Sequence, residues 1–389
     1  MSDETKAKLK TWGLRALATL IPIVLGMIGG NQLTPNRTVE VEKRVEVPAP
    51  NTGRLEEFEG IHHTGWINDP EVVRQTAEDM PTLRFSQTPA GQTRELPAAV
   101  YLWQAQKKIT GKPTPMKDQN PTGSCVGFGT TTAIERTLAA DIAQRNGDPS
   151  EFTLFSEEVT YAGSRVEVNG GKCPIRPTRQ DPSGDGSNGS WAAKWATKWG
   201  MVPKGKYGNL DLTEYSAARA RSWNYTGVPD ELEPVARKFP VKDATRITSW
   251  ADAKKALANG YGIAICSTQG FGRQRDANGV ATPGPRWGHC MCLDGYQTDS
   301  AHEYGHIENS WSKTNYHIGP VGWGDPTTAG FWADSEVIDR MLREGDSWAY
   351  SGAVGFPRKK LPVDWFVERK PARDRLDLSA LKHEVPLSW

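Results

Sequence analysis

Among the five cysteines of this 389-residue chain, Cys125 stands where a thiol can do chemistry. It lies in Asp118-Gln-Asn-Pro-Thr-Gly-Ser-Cys125-Val-Gly-Phe128, six residues after Gln119. Ile134, Leu138 and Ile142 follow at helical spacing, and Asn146-Gly147 predicts where that helix ends. Ser124 is placed to cap it. A cysteine at a helix N-terminus faces the positive end of the backbone dipole, which favours the nucleophilic thiolate. An upstream glutamine amide can donate to a developing oxyanion. Far downstream, Trp287-Gly-His289-Cys-Met-Cys-Leu-Asp-Gly-Tyr296 puts a histidine at the head of a strand-like run, and Ile307-Glu-Asn309-Ser-Trp311 adds an amide and an indole. A sulfur nucleophile, an imidazole base and an amide to orient the ring are the parts of covalent acyl transfer.

In that chain order these groups resemble the papain-like cysteine peptidases. The resemblance covers roughly residues 96–356. Leu96-Pro-Ala-Ala-Val-Tyr-Leu-Trp103, then Thr114-Pro-Met-Lys-Asp-Gln119, is similar to the opening of the mature enzyme and its approach to the oxyanion glutamine. Gly186-Ser-Asn-Gly189 and the helical 191–200 are similar to the loop and helix on one side of the family's cleft. Gly322-Trp-Gly324 and Gly330-Phe-Trp332 are similar to the strand after its asparagine. The resemblance implies an α+β fold of two lobes, one helical and one an antiparallel sheet, with the cleft between them. It implies a cysteine endopeptidase acting on protein or peptide, with Cys125 as nucleophile, His289 as base, Asn309 as its orienter and Gln119 in the oxyanion hole. Ser187, Asn188, Gly189, Trp287 and Trp311 would line the substrate side, and no metal or organic cofactor is required.

The departures from the family are specific. Thr122 and Ser187 stand where the family has a disulfide pair, so that bridge is lost at both ends. Val126 replaces the Trp that normally follows the nucleophile, and extra residues at 299–306 read as a longer hairpin.

The elements that must hold these groups follow from periodicity. Further helices are expected at 191–200 and 250–259, and strands at 263–267, 289–296, 306–310 and 330–333. Helices first and strands later fit an α+β arrangement. Ahead of this domain, Lys6, Lys8, Lys10 and Arg15 precede an apolar run from Ala16 to Gly30. Its fifteen residues span about 22 Å as a helix, which suits a signal segment (residues 1–30) or a membrane anchor through residues 12–30. Either puts the catalytic domain on the extracytoplasmic side. Residues 31–53 read as a stalk, 54–95 as a pro-segment-like lead-in with a helical patch at 69–79, and 357–389 as a mixed-charge tail able to dock on an assembly partner. An inhibitory role for the lead-in predicts a cut before about Leu96.

Net charge is +1, so charge gives no case for nucleic acid. Cys173, Cys266, Cys290 and Cys292 leave a structural disulfide open, although Cys290 and Cys292 alternate on one strand face and do not suit each other. His302-Glu-Tyr-Gly-His306 matches a zinc-peptidase pattern, but Gly305 and strand-like flanks oppose the helix that chemistry needs. Gly184-Asp-Gly-Ser-Asn-Gly189 matches a dinucleotide fingerprint without the preceding strand. His62-His63 reads as ordinary surface. Two other function classes remain open: a binding or structural protein on this fold, such as a virion component, and a hydrolase of cell-wall peptides.

Overall fold

The computed structural model describes residues 65–80, 83–113, 115–177, 184–299, 302–311, 323 and 330–361. The apolar run, the stalk, His62-His63 and most of the tail lie outside them. Asp69 caps α1 (Pro70–Glu78), its carboxylate accepting from the Glu71 and Val72 N–H groups. β1 (Ala99–Tyr101) runs directly into α2 (Leu102–Thr110), and α3 (Cys125–Gln144) follows. Next come α4 (Glu157–Arg165), α5 (Gly189–Lys198), the short β2 (Lys206–Tyr207) and β3 (Leu210–Asp211), α6 (Ala217–Thr226) and α7 (Glu233–Ala236). Strands then dominate: β4 (Asp243–Arg246), α8 (Trp250–Ala258), β5 (Ile263–Ser267), β6 (Gly270–Arg275), β7 (Ala281–Gly284), β8 (His289–Thr298) and β9 (Glu303–Glu308). β10 (Gly330–Asp334), α9 (Ser335–Arg343) and β11 (Trp348–Ser351) close the described chain.

Seven strands form an antiparallel sheet in the order β10-β9-β8-β5-β11-β4, with β1 on the far end of β8. The α+β expectation therefore holds. No described helix is long and apolar enough to cross a membrane. The long hairpin expected around 299–306 is the β8–β9 turn, closed by Asp299 N–H donating to His302 O. β9 begins at Glu303, not 306, because it pairs with β8 as far as Thr298, leaving Asn309 just beyond the strand.

α3 is the central element. Seventeen of its 20 residues are buried, so the expected stripe is only part of its packing surface, and Leu138 is the stripe residue left partly exposed. Gly129 lets it meet the sheet, since a Cβ there would lie 2.8 Å from Met291 O of β8. Ser124 precedes the helix, but its hydroxyl bonds Thr122 and Tyr215 rather than capping. α5 starts two residues earlier than expected because a remote carboxylate, Asp346, accepts the Gly189 and Ser190 N–H groups. Of the histidines in the zinc-like pattern, His302 is exposed just before β9 and His306 lies within it, buried against Asp294. No group of three metal-binding side chains converges among the described residues. A disulfide joins Cys266 to Cys290 across β5 and β8, while Cys173 and Cys292 stay reduced.

Arg136 fastens α3 to the sheet. From α3 it donates to Asp294 of β8 at 2.8 Å and to Glu308 of β9, all three side chains being buried. Arg136→Met should lower unfolding free energy by about 3–5 kcal/mol, because two buried carboxylates lose their cation. A urea titration reads this as a fall in midpoint.

Candidate active site

The residues singled out by sequence come from different elements, and His289, Asn309 and Gln119 join one bonded set. Cys125 opens α3, His289 opens β8, and Asn309 follows β9. His289 Nε2 lies 2.8 Å from Asn309 Oδ1. That oxygen also accepts from Ser310 N–H at 2.7 Å, which fixes it as the acceptor and makes Nε2 the protonated nitrogen. In the neutral ring the lone pair then sits on Nδ1. Trp311 stacks on the imidazole, ring centres 4.4 Å apart and planes 22° apart, and Trp287 stands edge-on to both. These indoles cover the His289–Asn309 pair and keep its hydrogen bond strong.

Gln119 belongs to the same assembly. Its Oε1 accepts from Ser310 Oγ at 2.6 Å and from Trp311 Nε1 at 3.2 Å, and its backbone N–H donates to Ser310 O. Its Nε2 donates to Thr122 O at 2.7 Å, which leaves the amide's second N–H for another acceptor. Lys117, two residues earlier, is buried between Glu135 of α3 and Glu157 of α4 at 2.8 and 3.1 Å, which pins this segment to the helices. Asp185 accepts from Gly123 N–H and from Tyr161 OH, holding the turn just before Cys125.

The sulfur itself is sealed. Gly65 lies over it so closely that a Cβ there would come 2.5 Å from Cys125 Sγ. Gly65 and Trp66 N–H both donate to Gly288 O at 3.0 Å; Ile67 N–H donates to Ser187 O and Ser187 N–H to Gly65 O, each at 2.9 Å. The strand-like segment 65–67 thus pairs with the very loop expected to line the substrate side. Asn188 donates to Ile67 O, and Gly189 N–H goes to Asp346. Burial pushes the Cys125 thiol up to about 12, although the backbone N–H of Cys290, beside His289, points at the sulfur and pulls the other way. In this closed arrangement burial thus opposes the thiolate that the helix N-terminus favours.

Four site residues escaped the sequence reading: Gly65, Trp66, Asp185 and Asp346. Gly65 and Trp66 lie in the lead-in, with no local pattern to mark them. Asp346 sits in Glu344-Gly-Asp-Ser-Trp348, an ordinary turn before a strand. It accepts from Trp66 Nε1 and Gly189 N–H on Oδ2 and from Ser190 N–H and Trp348 Nε1 on Oδ1, at 2.7–2.9 Å. Burial pushes it up to about 6 against the pull of those donors.

No family model matches the chain, and no curated protein sequence matches it. Solved structures similar to it include xylellain, a cysteine protease from Xylella fastidiosa, at 18% identity and TM-score 0.48, covering 75% of this chain and 97% of that one. The digestive procathepsin L 3 of Tenebrio molitor larval midgut is similar at 15% identity and TM-score 0.41, covering 72% and 78%. The ragweed pollen allergen Amb a 11, a cysteine protease in its proform, is similar at 16% identity and TM-score 0.44, covering 75% and 74%. At such identities the likeness assigns no role to any residue.

Proposed function

We propose that the chain is a papain-like, thiol-dependent peptidase whose residues 65–67 hold it latent. The observation that carries this is the His289–Asn309 pair, roofed by Trp311 and tied through it to Gln119, at the head of the helix that Cys125 opens. With the segment withdrawn, Cys125 Sγ attacks a peptide carbonyl carbon as its proton passes to His289 Nδ1. The Cys125 backbone N–H and the second N–H of Gln119 hold the oxyanion. The C–N bond breaks as His289 returns the proton to the leaving amine. Water then attacks the thioester, giving its proton to His289, and the acid leaves as the thiol re-forms. Asn309 keeps the ring turned so that Nδ1 faces the sulfur. Ser187 offers its backbone N–H and C=O to the substrate, and Asn188 its side-chain amide, once they are released from residues 65–67, while Gly189 N–H stays on Asp346.

The catalytic domain would span 96–356, with 54–95 as the inhibitory lead-in. Activation needs more than a cut before Leu96, because 65–67 stays paired to Ser187 and Gly288 until it dissociates. Export or membrane anchoring through residues 12–30 suits the Cys266–Cys290 bridge, and the mixed-charge tail would serve an assembly partner. The test is digestion of a denatured protein mixture in H₂¹⁸O after limited proteolysis of the lead-in. New C-termini carrying ¹⁸O, absent with an epoxide thiol trap, support the reading; their absence opposes it. Gln119→Ala should then lower kcat by about 10²–10³-fold with little change in KM, measured on any peptide so found. One observation favours a second reading, a binding or structural protein on this fold: the sulfur is sealed. That reading expects no new C-termini even after the lead-in is removed.

A further inference from the structure

Trp66 is held like a ligand. Its backbone N–H goes to Gly288 O, beside His289, and its indole N–H goes 2.7 Å to the buried carboxylate of Asp346. Its neighbour Gly65 touches the sulfur. The indole is 3% exposed, in an apolar cluster with Cys125, Val126, Ala193 and Trp348. Four donors fill the two oxygens of Asp346, two on each, and three of those donors belong to the fixed frame: Gly189, Ser190 and Trp348. When Trp66 leaves, Asp346 Oδ2 keeps Gly189 and lacks one partner.

We propose that Asp346 is the floor of a side-chain recognition pocket beside Cys125, that the open enzyme uses it to select peptides carrying tryptophan there, and that Trp66 is the chain's own occupant. This rests on the peptidase reading for its use in catalysis, though not for the binding itself. The single opening on Oδ2 selects the ligand. Indole brings one N–H on a large apolar body, matching one lacking partner among apolar walls. Phenylalanine brings no donor and leaves the carboxylate short. Lysine and arginine bring three and five donors, and those without an acceptor here would be buried bare.

The test uses the full chain carrying Trp66→Ala, which empties the pocket and keeps Gly65. Titration calorimetry compares indole with 1-methylindole, which has the same shape without the N–H, so that no second variant need fold. Indole binding at least tenfold tighter supports the pocket; equal or absent binding overturns it. The same variant is then given a peptide library, and its cuts are mapped. Tryptophan enriched at least tenfold at one fixed position near the cut, and no longer enriched in Trp66→Ala/Asp346→Asn, supports selection. Cuts without that enrichment, or enriched in arginine and lysine, overturn it. Indole bound with no peptide cut at all leaves the recognition site standing and removes the peptidase reading instead.

Discussion

Cys125→Ala is expected to lower the peptidase activity of the opened enzyme by at least about 10⁴-fold while leaving the protein folded. The size follows from the loss of the covalent route: without sulfur there is no thioester, and only the oxyanion donors and substrate positioning remain. No other thiol can stand in. Cys266 and Cys290 are bridged, Cys173 is buried against Arg165, and burial drives Cys292 well above the ordinary thiol range. The folding cost is small, because the residue is buried as a small neutral group and loses one atom, about 1 kcal/mol. Steady-state hydrolysis and a thermal melt on the same samples check both halves. Activity retained within tenfold would mean that the chemistry lies elsewhere.

Trp66→Ala should speed labelling of Cys125 by an epoxide thiol trap about 100-fold in the full-length protein. Replacing a buried Trp by Ala costs about 3–5 kcal/mol. Here that cost falls on the closed state, since Trp66 holds the segment over the sulfur. A shift of about 2.8 kcal/mol toward the open state is a hundredfold in its population. Trp66→Phe keeps most of the buried area and removes only the N–H to Asp346, so its effect should be about tenfold. Rates unchanged by either substitution would show that Trp66 does not govern access to the thiol. Mass spectrometry of the labelled peptide gives the rates directly.

Much of the framework could be read from the chain, and the reasons differ by element. β5 was legible because Ile263–Ser267 is a short apolar run between turn residues, buried throughout. α3 was legible from Ile134, Leu138 and Ile142. Cys125, His289, Asn309 and Gln119 were singled out because their types are rare and their order is specific, and the structure brings the last three into one bonded set beside the helix that Cys125 opens. What stayed hidden was long-range. Asp346 caps α5 from 157 residues away, so nothing near Gly189 signals where that helix begins. Gly65 and Trp66 act through a backbone pairing with Ser187 and Gly288, and backbone pairing leaves no mark on side-chain type. The burial of the thiol was hidden for the same reason: the helix dipole is local and readable, whereas the cover that desolvates the sulfur comes from residues 65–67. The Cys266–Cys290 bridge needed the register of β5 against β8, which spacing alone does not set.

The pairing of Cys125 with His289 is the centre of the account. Its most direct test is the rate of epoxide labelling at Cys125 against pH, in Trp66→Ala and in Trp66→Ala/His289→Ala. A thiolate–imidazolium pair predicts labelling that is already fast and nearly level from about pH 5 to 8 with His289 present, and slower by about 100-fold at pH 6 without it. Equal rates in the two proteins, both rising about tenfold per pH unit as for an isolated thiol, would contradict it.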